Sequence, residues 1–288
     1  MTFTKSAFLL FAIFSTFTIT TSAQTATGKL SLAKGQKILI DNDIKTVSNQ
    51  EMMGQSMEIT SDAKMLYEVE VKDKKPNSYL ISTTLTKVLS SGSAMGQEMK
   101  FDSDKKEDLE SETGKAFKDQ LNVSMEAEFN ENAQVINAVK KDTAASTGNQ
   151  MMDMMKKFAG ASGAELNGAS AAFTIIPSGK KPGDTWSDSL ITDAVKTYTT
   201  YTFKSLDGKN ATITSTGKQF TKMKVEQQGM EINISMDGTL STEGIIDIST
   251  GLIKQKTTTL NGTSTTEVMG QSIPGTTKVT TVTTVKTI

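Results

Sequence analysis

The chain has 288 residues, neither His nor Cys, and 31 basic against 32 acidic side chains, a net charge of −1. Without His or Cys there is no Ser-His-Asp or Cys-His catalysis, no histidine general base, no His or Cys metal site and no disulfide. Every basic residue is Lys, so the planar fork that grips phosphates and carboxylates is missing, and near-neutrality argues against a nucleic-acid partner.

At the N-terminus, Lys5 precedes an apolar run from Ala7 to Phe17, and small Ser22 and Ala23 precede Gln24. This is the pattern of a secretory signal cleaved near Ala23, and it predicts a periplasmic or secreted protein. The run is shorter than the roughly 20 apolar residues of a membrane span, so no transmembrane anchor is expected.

Residues 24–103 read as a β-meander. Ile38, Ile40 and Ile44 share one parity, and Ala63, Met65, Tyr67, Val69 and Val71 alternate with mostly polar neighbours. Tyr79, Ile81 and Leu85 resume the pattern after "KKPNS". Period two predicts a sheet with one buried face, and runs longer than the usual five or six residues predict strong curl. The phrase Met-Gly-Gln recurs at Gly54, Gly96 and Gly270, with a slid variant at Gly229. It predicts hairpin turns, with Met57, Met99 and Met230 among the first inward side chains. The third copy is expected to stop at Pro274, as an edge strand would.

Residues 104–170 read as a helical insert with a hairpin. Leu109, Ala116, Phe117 and Leu121 recur at roughly helical spacing, and Asn130–Asn132 marks the turn. "STGNQMMDMMKKFAG" predicts a capped helix whose apolar arc holds Met151, Met152, Met154, Met155 and Phe158. Asp102, Asp104, Glu107 and Asp108 lack calcium-loop spacing and read as a solvated turn, so no metal or cofactor is expected.

Residues 171–288 read as a second meander. Pro182-Gly183 fits a type II turn, and Trp186 anchors the strand after it. Tyr201 and Phe203 face Ala211 and Ile213 across Asp207-Gly208, and Met230, Ile232, Ile234 and Met236 alternate cleanly. The tail repeats Val279, Val282, Val285 and Ile288 every three residues; its β-branched content favours a strand.

The phrases "FDSDKKEDLE", "IPSGKKPGDTW" and "STGLIKQKTTT" resemble an uncharacterised family of secreted Bacteroidota proteins, a domain of unknown function, across nearly all of the mature chain. That resemblance carries over no catalytic or binding residue. In architecture the chain resembles periplasmic lipoprotein-carrier (LolA-like) half-barrels, which hold acyl chains in a concave face under helices. Those carriers gate the site with an Arg, which this chain lacks.

The expectation is a mainly β fold with a helical insert (α+β): a long curved antiparallel sheet or half-barrel packed on one or two short helices, with residues 24–288 as one unit. The function expected is non-enzymatic binding of a lipid or another apolar small molecule. Its pocket would be walled by Met57, Met99, Met151, Met152, Met154, Met155 and Phe158, since flexible thioethers adapt to varied tails. The alternative is a structural or interaction protein with a filled core and no ligand. The same thioethers would also suit copper(I), and a hydrolase built on Lys or carboxylates comes third.

Overall fold

The computed structural model describes residues 26, 28–52, 55–94, 97–118, 120–138, 168–192, 194–227, 230–268 and 270–288. The alternating runs become twelve antiparallel strands: β1 (Lys37–Met52), β2 (Gln55–Lys74), β3 (Ser78–Ala94), β4 (Gln97–Asp102), β5 (Ser124–Asn130), β6 (Val135–Ala138), β7 (Thr185–Ile191), β8 (Val195–Asp207), β9 (Asn210–Gln227), β10 (Met230–Asp247), β11 (Leu252–Val268) and β12 (Gln271–Thr287). Two short helices, α1 (Lys106–Glu110) and α2 (Glu112–Lys118), follow β4, and a 3-10 turn spans Gly168–Ala172. The long strands hold 16 to 20 residues, about 50–70 Å of extended chain.

All twelve strands form one sheet in the order β6-β5-β3-β2-β1-β12-β11-β10-β9-β8-β7, with β4 on the other half of β3's edge, and the sheet does not close into a barrel. Both meanders belong to it because β1 pairs with β12, from Ile38↔Thr287 to Gln50↔Gly275. The expected stop at Pro274 does not occur: β12 runs through it for 17 residues as a central strand. Pro274 lies one residue beyond the last β1 partner, where β12 has a neighbour on one side only, so its missing N–H interrupts no ladder to β1. The three-residue valine repeat lies flat in this strand. Val279 and Val285 take one face, and Val282 takes the other.

The four glycine phrases join strands whose registers leave two residues between them: Met52↔Gln55, Ala94↔Gln97, Gln227↔Met230 and Val268↔Gln271. Gly270 has φ +77°, the left-handed backbone that such tight turns favour. All four hairpins lie at one end of the sheet, here called the rim.

The core sits at the opposite end. Ile38, Ile40, Val69, Ile81, Phe129, Phe203 and Ile253 are each at most 1% exposed, and Phe129 meets Phe173 edge to face at 5.7 Å. Fully burying such a side chain contributes about 1.5–3 kcal/mol. Two segments close this end. Leu30 N–H donates to Glu131 O and Ser31 N–H to Thr250 O, so residues 28–36 span from the β5–β6 turn to the β10–β11 turn. Phe173 bridges to Leu252, and Thr174 N–H donates to Gly251 O. A second cluster joins Leu85, Val88, Phe101 and Phe117, with Phe117 of α2 stacked on Phe101 at 5.4 Å.

Bulges surround the core. The registers skip Lys72, Thr86, Ile136, Lys204 and Lys254, and each extra residue bends its strand and increases its twist. These five bends curl the sheet around the buried side chains.

Candidate functional site

Paired residues in a sheet share a face, so the inner face can be followed outward from Ile38 and Ile40. It continues through Ile44, Ala63 and Thr281, then Leu240, Leu260 and Val279, then Ile234 and Thr266. Across β1–β5 and β8–β12, two charged residues take inner positions. Lys74, the last residue of β2, donates to Leu32 O at 3.1 Å and lies 5.5 Å from the Tyr79 ring. Lys256, within β11, makes no hydrogen bond or ion pair among the described residues. The remaining charges, including Asp43, Lys45, Glu58, Asp62, Glu231, Asp237 and Lys278, take outer positions.

This neutral face runs well past the core. Ile44, Ile59, Met65, Met236, Leu240 and Val279 are half-buried. Three inner glycines let neighbouring strands lie close. A Cβ on Gly238 would meet Leu260 Cδ1 at 2.6 Å, one on Gly262 would meet Met236 Cγ at 3.2 Å, and one on Gly217 would meet Tyr198 O at 2.5 Å. The Leu260 and Met236 side chains therefore lie across glycine backbone and keep the face continuous.

Where this face meets the core, a cavity of about 200 Å³ opens between β8 and β11. Leu240, Ile213, Ile246 and Ile253 give it an apolar lining; Thr199, Tyr201, Ser215, Thr242 and Thr258 add hydroxyls, and Lys256 adds the charge. Thr242 and Thr258 hydrogen-bond each other at 3.1 Å. Burial holds the Lys256 amine below its ordinary pKa of 10.5. Burial also raises the Tyr201 phenol above 10.0, helped by the charge of Asp188 and opposed by a hydrogen bond with Thr199. Trp186 stacks on Tyr201 with centroids 5.3 Å apart and holds that ring in place.

Two larger depressions, of about 890 and 830 Å³, lie mainly on the outer face. They share Lys218, Thr239 and Asn261 and form one shallow, hydroxyl-rich trough from β7 to β1. Tyr198, Phe220 and Val47 stand exposed along it.

Of the pocket wall expected from sequence, Met57 and Met99 both take inner positions, two strands apart. Met57 is half-buried, and Met99, on the short edge strand β4, is 56% exposed. Met151, Met152, Met154, Met155 and Phe158 lie outside the described residues. Sequence reasoning missed Lys256. Counted from Ile253, simple alternation puts Gln255 inward and Lys256 outward; the bulge at Lys254 reverses this. A Lys sharing the parity of Thr258 and Leu260 was the one signal available.

Among the described residues, no group of three or more acidic side chains is placed to hold a metal ion, and no helix is long and apolar enough to cross a membrane. Among solved structures, the fold is similar to that of lipovitellin, from work on lipid–protein interactions, with a TM-score of 0.50 and 10% identity. That match covers 89% of this chain and 25% of the lipovitellin chain, so the protein spans a quarter of its relative's length. An outer membrane channel from Pseudomonas putida F1 (TM-score 0.26, 9% identity, 90% of this chain and 98% of the other) carries no argument at that score. The same holds for OpdQ from Pseudomonas aeruginosa (0.25, 8%, 89% and 100%). No curated protein matches the sequence. A family of unknown function, DUF6263, matches residues 76–253, from the turn before β3 into β11; with more than half of its length matched, the chain belongs to that family.

Proposed function

We propose that this protein is an exported, non-enzymatic binder of an apolar ligand, a lipid or acyl chain, held against the inner face of its curved sheet. One observation carries the reading: among the described residues, the inner face of β1–β5 and β8–β12 carries a single charge without a polar partner, Lys256, and that face extends past the core it packs. A sheet that needed only a core would tolerate charge on the half-buried remainder. Export rests on the Lys5-to-Ala23 pattern, and the non-enzymatic part rests on the missing His, Cys and Arg. Likeness of fold to lipovitellin is compatible with lipid as the occupant.

The test is to express the chain with its leader, purify it from the periplasm and extract it with organic solvent. A lipid released in near-stoichiometric amount supports the reading. A clean extract, together with no binding of added lipid, ends it. A second reading has its own observation: Tyr198, Phe220 and Val47 line the outer trough at 38–49% exposure, which suits docking of another protein. Under that reading the extract is empty, and Tyr198→Ser with Phe220→Ser abolishes capture of a partner.

A further inference from the structure

Resting on the lipid-binding reading, we propose that Lys256 is the anchor for the carboxylate of a single-tailed apolar acid. Half-buried Lys256 lines the partly open cavity between β8 and β11 and has no anionic partner among the described residues. An unpaired ammonium in such a place costs free energy that an incoming carboxylate recovers through a charge-assisted hydrogen bond. The hydroxyls around it fit the same guest. Tyr201, Thr199, Ser215 and Thr258 supply neutral donors for the second carboxylate oxygen.

The charge count sets the class of acid. One cation, with no Arg in the chain, neutralises one negative charge, which suits a carboxylate better than a phosphate dianion. The cavity's volume of about 200 Å³ takes the acid group and the first part of a tail. Beyond Leu240 the neutral face leads toward the rim through Gly238, Met236 and Ile234, and there the remaining methylenes lie.

The test titrates the full chain, delipidated, with dodecanoate and with 1-dodecanol, which share a tail and differ in charge. Wild-type protein is expected to bind the acid at least about tenfold more tightly than the alcohol, the lower range for a hydrogen bond to a charged group. Lys256→Met removes the preference, so that acid and alcohol bind with about the same affinity. If both ligands bind equally to wild type, or if Lys256→Met keeps the preference for acid, the anchor is overturned while the lipid-binding reading stands. If neither ligand binds wild type, both are overturned. The wild-type comparison decides the matter even where the variant folds poorly.

Discussion

Ile40 and Ile44 occupy the same face of the same strand, yet Ile40 is 1% exposed and Ile44 is half-buried. The contrast recurs on β2, β10 and β12. At the core end, Val69, Ile81, Phe203 and Ile246 are sealed beneath residues 28–36 and 168–176. Toward the rim, Met65, Met236, Leu260 and Val279 continue the pattern without joining that core. Period-two patterning thus specifies which face is apolar, while the segments crossing that face decide how much of it becomes core.

The two ends should respond differently to mutation. Phe203→Ala removes a fully buried ring and is expected to cost about 3–5 kcal/mol in urea denaturation. Val279→Ala, on the same face toward the rim, should cost about 1 kcal/mol or less. Equal losses would mean that the rim end is packed like the core.

Glycines give a second, smaller contrast. Gly28 has φ +72°, and a Cβ there would stand 2.7 Å from the Ser178 backbone nitrogen. Gly28→Ala should cost about 1–2 kcal/mol from the left-handed backbone alone, and more once that contact is relieved. At Gly238 the nearest atom is the end of the Leu260 side chain, which can rotate away, so Gly238→Ala should stay within about 0.5 kcal/mol of wild type.

Lys256→Met should stabilise the ligand-free protein by about 1–3 kcal/mol, because it removes an unpaired cation from the cavity. The sign of the pH dependence follows from the direction of its pKa. The native amine titrates below 10.5, so between the native and unfolded values the unfolded chain carries the additional proton, and wild-type stability climbs as pH rises. The variant's advantage is therefore full below the native pKa and vanishes above 10.5. Tyr201, raised above 10.0, lowers stability at high pH in both proteins and cancels in the difference. An advantage that grew with pH would place Lys256 in a different environment. The smallest effect belongs to Lys34→Ala: its pairing with Asp73 at 3.0 Å lies in open solvent, and the unfolding midpoint should not move measurably.

Much of this was legible in the sequence, for a physical reason. Alternation in β1, β2 and β10 reports a face directly, and Met-Gly-Gln marks turns because Gly tolerates the backbone they need. Two things were hidden. Pairing of β1 with β12 joins residues more than 200 positions apart and leaves no local mark, which is why Pro274 was taken for a strand end. Bulges such as that at Lys254 reverse parity without announcing themselves, and that reversal put Lys256 inside. Of the expected pocket wall, Met57 and Met99 share the inner face, and the charge beside the core was not singled out at all.

The most direct test of the central claim is methyl NMR on Ile-, Val- and Met-labelled protein titrated with dodecanoate. The account predicts shifts at Ile44, Met236 and Val279 on the inner face, with Ile38 and Ile81 in the core unmoved and Val47 in the outer trough unmoved. Shifts confined to Val47, or none at saturating ligand, would contradict it.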